Sequence, residues 1–207
     1  MEDDAKRTPE AGASTGGAAH LFEPAPSGRS KCRGCGQPIA LGQLRFGERL
    51  PNPFGGGEMT LWFHPACGAY KRPEPFLQAL AGTSLEVPGR EGLERAARGS
   101  LAHRRLPRID GAERAPSGQA RCRACRERIE RGSWRIRLVF FEEVRFAPGG
   151  YVHLDCRQAY FETEDLRDQV LHFSRALNDE AREELRRALE PGGRKPGSGG
   201  QATPTGG

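Results

Sequence analysis

The sequence predicts an α+β protein made of two small fingers, each a β-hairpin with short helices, followed by a C-terminal helical hairpin and flanked by disordered ends. Three observations predict it. A spacing of cysteines and histidines is written twice along the chain. Within each copy, strand-like sequence is broken by a loop rich in glycine and proline. Sustained helical spacing of apolar residues begins only after residue 163.

The repeated spacing is that of metal ligands. Cys32-x2-Cys35 is followed after 28 residues by His64-x2-Cys67, and Cys122-x2-Cys125 after 27 residues by His153-x2-Cys156, which uses all six cysteines of the chain. Three thiolates and one imidazole form a set that structural zinc accepts, so the spacing predicts two Zn2+ ions, one per finger. The repeat extends beyond the ligands. A shift of 90 residues superimposes Ser27-Gly28 on Ser117-Gly118, Ile39 on Ile129, Gly42 on Gly132 and Arg45 on Arg135. One residue is lost in the second copy before the histidine, as expected for a loop of variable length.

In chain order, residues 1–20 are small, polar and glycine-rich and are expected to be disordered. Finger 1 spans 21–75: a cysteine knuckle, a strand from Gln43 to Leu50, the loop Pro51-Asn52-Pro53-Phe54-Gly55-Gly56-Gly57, and a returning strand from Met59 to Phe63. Residues 76–110 read as a semi-ordered linker with helical pieces at Phe76–Leu80 and Glu91–Ala97. Finger 2 spans 111–162, with a strand from Trp134 to Phe141 and a loop around Ala147-Pro148-Gly149-Gly150. A short helix is expected after each last cysteine, with Tyr70 and Tyr160 as packing residues. Residues 163–190 read as a helical hairpin. Thr163 is its first N-cap, Leu166, Val170 and Leu177 share one face, and a second helix starts at Asn178 and stops at Pro191. Residues 191–207 read as a disordered tail.

Composition limits the function classes. With 36% hydrophobic residues, 28 glycines and 16 prolines, a single large core is not expected, and metal supplies the missing stability. No run approaches the roughly 20 apolar residues of a membrane span, and the first residues lack a secretory pattern, so an intracellular protein with reduced thiols is expected. The formal charge is +5, and each zinc with three thiolates contributes −1. Residues 29–72 hold seven basic and two acidic side chains and 104–145 hold twelve and six, whereas 161–193 hold five and nine. Basic fingers point to a polyanion, and the acidic helices to a possible protein partner.

These residues resemble poly(ADP-ribose) polymerase-type (PARP-type) Cys3His zinc fingers, which also occur in a DNA ligase. The resemblance rests on Ala25-Pro26-Ser27-Gly28-Arg29 before the first cysteine pair, on Ile39, Gly42 and Arg45, and on Trp62-Phe63 before His64-x2-Cys67. It covers about 45 residues in each copy. It implies recognition of nicked, gapped or broken duplex, largely independent of sequence, through phosphate contacts and base stacking. Carried over residue by residue, Arg29 and Arg45 are phosphate contacts, and Phe54 and Met59 fall at or beside the stacking positions. In the second copy Gln119 replaces Arg29; Arg121 and Arg135 are the basic candidates there, with Phe146 and Val144 as stacking candidates. His20, His103 and His172 lie outside any ligand spacing and read as surface or packing residues. A closed four-ligand site leaves no position for a zinc-bound water, and the fingers and tails use nearly the whole sequence, so no enzymatic activity is expected. The alternative is a zinc-stabilised interaction scaffold or regulator without break specificity.

Overall fold

A computed structural model describes residues 20–190. The two tails expected to be disordered lie outside these residues, apart from His20. Each finger is built on a three-stranded antiparallel sheet. The first joins β1 (Leu21–Pro24), β2 (Leu44–Pro51) and β3 (Glu58–Phe63), and the second joins β4 (Ile109–Arg114), β5 (Trp134–Glu142) and β6 (Arg145–His153), with β2 and β5 central. The predicted hairpins are therefore β2–β3 and β5–β6, each flanked by a strand that sequence patterning had not marked. β1 has four residues and ends at Pro24, as suits an edge strand. β4 is interrupted by Gly111, at φ +89°, where the register with β5 shifts between Ile109 and Ala112.

In finger 2 the expected loop around Ala147–Gly150 is instead part of β6. The chain reverses at Glu143 and Val144, both at positive φ, between the paired residues Glu142 and Arg145. Two left-handed residues in a two-residue reversal give the turn whose twist matches that of the flanking strands. The consequence is a tight hairpin in finger 2, against a six-residue excursion between β2 and β3 in finger 1.

Helix α1 (Pro65–Lys71) follows the ligand His64, with Pro65 in its first turn, where a missing N–H costs nothing. The stretch expected as a linker continues with α2 (Pro73–Gly82) and α3 (Arg90–Ala102), both longer than the pieces read from sequence. They pack on finger 1. The Phe76 ring is fully buried, 5.4 Å from both Phe22 and Phe46, and Leu80, Val87 and Ala97 extend the same core. At Gly68 of α1 an added Cβ would lie 2.5 Å from Phe46 and 3.1 Å from Phe76, so this helix needs glycine to approach the sheet.

In the second half, a 3-10 turn (Leu154–Cys156) and α4 (Arg157–Phe161) follow the ligand pair, and α5 (Arg167–Phe173) and α6 (Asp179–Ala188) form the helical pair. The first of these starts later than expected. The Thr163 hydroxyl accepts from Asp165 N in a local turn, Leu166 is the N-cap, and Leu177 lies beyond the end of α5. Asn178 caps α6 as predicted, accepting from Ala181 N at 2.9 Å. The pair packs on finger 2: Ser174 Oγ accepts from Ala112 N at 2.8 Å, and Glu184 pairs with Arg114.

The buried residues of both fingers join one continuous core, contrary to the expectation from composition. The seam has specific contacts. The Lys71 ammonium is buried, 3.2 Å from Asp110 and 4.5 Å from the Phe173 ring centroid. Arg72 pairs with the buried Glu48 carboxylate and lies 3.9 Å above the Phe141 ring, while Phe63 meets Phe146 edge-on at 6.4 Å. Composition could not reveal this, because the apolar residues are few but concentrated on facing surfaces.

Candidate metal centres and nucleic-acid interface

Each metal site joins a cysteine knuckle to the end of a hairpin. In finger 1 the knuckle is closed by Cys32 N to Gln37 O and Gly36 N to Cys32 O, both 2.8 Å, and Arg33 N to Trp62 O ties it to β3. Finger 2 repeats these bonds as Cys122 N to Glu127 O, Arg126 N to Cys122 O and Arg123 N to Tyr151 O. One residue differs in kind. Gly36 and Arg126 occupy equivalent left-handed positions, φ +73° and +70°, and only glycine adopts that conformation without steric cost.

The four ligand atoms of Cys32, Cys35, His64 and Cys67 all lie within 4.8 Å of one another, as do those of Cys122, Cys125, His153 and Cys156. Zn–S bonds of about 2.3 Å in a tetrahedron require ligand separations of about 3.8 Å, so both sets fit zinc with small movements. Backbone N–H groups already point at the sulfurs: His64 N and His153 N each lie 3.3 Å from the first cysteine's Sγ, in Cys32 and Cys122. In finger 2, His153 Nε2 lies 3.1 Å from the Arg128 carbonyl, which directs an Nε2–H outward and leaves Nδ1 as the ligand atom.

The thiols resist sharing these sites without a cation. Hydrogen bonding with Cys32 and then Cys67 holds the Cys35 thiol down, whereas hydrogen bonding with Cys32 and Cys35, then burial, pushes Cys67 up. In finger 2, burial would raise Cys122, but N–H groups of His153, Cys125 and Ala124 outweigh it and bring the thiol down to about 7. Burial and then the Cys122 charge push Cys156 up to about 12. A divalent cation removes this conflict and lets all three thiolates form.

Residues 23–102 match the profile of the poly(ADP-ribose) polymerase and DNA-ligase Zn-finger region. Residues 23–102 are a PARP-type zinc-finger region, and the second ligand set repeats its Cys3His spacing. The matched span includes α2 and α3 as well as the first ligand set. Over 151 residues the chain is 29% identical to a poly [ADP-ribose] polymerase of Sarcophaga peregrina, covering 63% of this chain and 15% of the relative. It is 27% identical over 162 residues to poly [ADP-ribose] polymerase 1 of Gallus gallus, covering 70% and 16%. A shorter stretch of 48 residues is 46% identical to poly [ADP-ribose] polymerase 1 of Caenorhabditis elegans. The chain thus spans about a sixth of the first relatives' length.

The structure divides the residues expected to touch DNA. Arg29 is exposed, and no side-chain partner of it is found among the described residues. Phe54 is 81% exposed at the tip of the PARP-type finger's β2–β3 excursion, and Met59 is half-buried at its base. Arg121 is exposed, with Nη1 donating to Arg126 O at 3.2 Å. Arg45 and Arg135, by contrast, are only 6% and 4% exposed. Arg45 sits opposite Glu23 across β1–β2, pairs with it, donates to Ser30 Oγ at 2.8 Å and stacks 3.5 Å from the Trp62 ring. Arg135 repeats this with Glu113, 3.0 Å from its Nε, and the Tyr151 ring at 3.6 Å. These two arginines lock sheets; their repetition in sequence signals that role as well as it signals phosphate binding.

Phe146 is placed at the seam, in contact with Phe63 and Phe141 and beneath Lys71 at 5.2 Å, and Val144 lies at the tight turn. Neither tops a free apolar loop. Three features escaped the sequence reading. Leu41 is 71% exposed on a turn held to the strand-1 flank by Gly42 N to Ala25 O. Lys31 and Arg33 line a cleft of 510 Å³ with Trp62, close in sequence to Arg29. His172, a packing residue as expected, also approaches a metal ligand: its Nε2 is 3.2 Å from Cys67 Sγ.

Proposed function

We propose that the protein binds DNA through zinc-organised fingers and prefers strand breaks or ends to intact duplex, with little dependence on sequence. The observation that carries this reading is Phe54, a large apolar ring 81% exposed on the same finger that exposes Arg29, Lys31 and Arg33. A ring in that position costs solvation unless it has a flat apolar partner, and an unstacked base offers one, worth about 1–3 kcal/mol without discrimination between bases. An intact duplex hides that surface. The exposed cations of the same finger supply affinity for the backbone, which weakens steeply with salt.

Finger 1 is the main contact in this reading, because finger 2 has Gln119 at the Arg29 position and a two-residue turn in place of the exposed loop. Arg121 adds backbone affinity from the second finger. Zinc holds the fold and takes no part in chemistry. The fingers themselves are binding modules, and the ADP-ribosylating activity named for the relatives is not assigned to them. The scaffold reading is weakened by α5 and α6, whose apolar residues Val170, Leu171 and Leu185 are already buried within the chain.

Binding to intact and nicked duplex at two salt concentrations, with Phe54→Ala and Arg29→Ala beside the wild type, tests the reading. Phe54→Ala should lose about 5- to 150-fold on nicked DNA while keeping its salt slope, from the stacking range above. Arg29→Ala should weaken both substrates and lower the salt slope by about 1. Unchanged nick binding in Phe54→Ala overturns the stacking mode.

A further inference from the structure

The zinc site of finger 1 has a contact with no counterpart in finger 2 among the described residues, supplied from a residue 105 positions away. His172 Nε2 lies 3.2 Å from Cys67 Sγ. The imidazole is held from several sides: Tyr70 at 5.4 Å between ring centroids, Phe173 edge-on at 4.7 Å, and its own carbonyl fixed by Arg175 Nε at 3.2 Å. α5, which carries His172, is anchored to finger 2 through Ser174 and Ala112, and the Lys71–Asp110 pair clamps the same seam.

A zinc-bound thiolate has lone pairs and no proton, so the bond at this distance requires Nε2–H as donor and sulfur as acceptor. Arg175 Nη2 also lies 3.4 Å from Nε2, but it carries only donors and cannot satisfy an Nε2–H; among the described residues the Cys67 thiolate is the one acceptor within reach of that atom. Cys156, the equivalent ligand of finger 2, is approached by its own finger's His153 and by no imidazole from the other half among the described residues. Finger 2's ligands are also more open, with Cys125 exposed where Cys35 is half-buried.

We propose that His172 is a positioning residue for the zinc of finger 1, donating Nε2–H to the Cys67 thiolate so that metal retention in the first finger depends on docking of the C-terminal half. The coupling is reciprocal. Whatever stabilises zinc in finger 1 also stabilises the docked α5, and loosening α5 makes that zinc easier to lose. Finger 2 holds its metal without such help. The two zincs of one chain are therefore unequal, and the first reports on the integrity of the whole body.

The test is zinc release to a chelator from the full zinc-loaded chain, with each phase assigned to its finger by amide NMR signals. Outer hydrogen bonds to metal ligands are worth about 10- to 100-fold in metal affinity. His172→Leu, which fills the space without a donor, should speed release from finger 1 by that factor and leave finger 2 unchanged. His172→Gln, which restores an N–H donor, should recover most of the loss. In the cadmium-loaded wild type, scalar coupling between the His172 Nε2–H proton and the metal of finger 1 is expected, which tests the bond even if the leucine variant fails to fold. Unchanged finger 1 release in His172→Leu, equal acceleration in both fingers, or absence of that coupling overturns the proposal.

Discussion

Replacing Arg45 by glutamine separates a structural role from a DNA-binding one. The guanidinium is 6% exposed, paired with Glu23, bonded to Ser30 and stacked on Trp62 at 3.5 Å. Breaking a buried pair typically costs about 3–5 kcal/mol because the partner's charge is stranded. Glu23 is 35% exposed and can rehydrate in part, which lowers that cost, while the lost stacking on Trp62 adds about 1–2 kcal/mol. The sum is about 3 kcal/mol. Denaturant unfolding of the zinc-loaded protein should show this loss, whereas affinity for nicked DNA, measured where the variant remains folded, should change by less than about 2-fold, well under the 1.4 kcal/mol of a tenfold effect. A variant of wild-type stability that binds DNA more than tenfold less tightly would refute the structural assignment and restore Arg45 to the interface.

Other expectations follow from the same contacts. Phe76→Ala should cost about 3–5 kcal/mol in denaturant unfolding, since its ring is fully buried between Phe22 and Phe46; a peptide of residues 20–75 should accordingly fail to fold with zinc. Arg126→Gly should raise the stability of finger 2 by about 1 kcal/mol by removing a non-glycine residue from φ +70°, and Gly36→Arg should lower that of finger 1 by a similar amount, both read by thermal unfolding. Lys71→Met should be nearly neutral, because a chain of similar volume replaces a buried cation, whereas Asp110→Ala should cost about 3 kcal/mol by leaving that cation alone. Chelation of both metals should abolish the fold of both fingers together with DNA binding, as seen by circular dichroism and titration.

The ligand sets were legible because zinc imposes residue type and spacing on the sequence. The central hairpins, the cap at Asn178 and the duplication were legible for similar reasons of periodicity and chemistry. β1 and β4 were not, since each is short, polar on one face and stabilised by pairing with a distant strand. α2 and α3 looked like linker because Phe76 and Val87 find their partners only in three dimensions. The arginines show the sharper limit. Arg29 and Arg45 both read as phosphate contacts, and only the cross-strand register that places Glu23 against Arg45 separates them. Phe54 and Phe146 were separated likewise, by a turn two residues long and a seam between the fingers that no local pattern encodes.

Affinity of the zinc-loaded wild-type chain for one duplex, intact and carrying a single nick, at physiological salt tests the central claim most directly. The stacking and basic surfaces of finger 1 predict binding to the nicked form at least about tenfold tighter, in line with 1–3 kcal/mol of stacking available only there. Equal affinity for the two duplexes would contradict it.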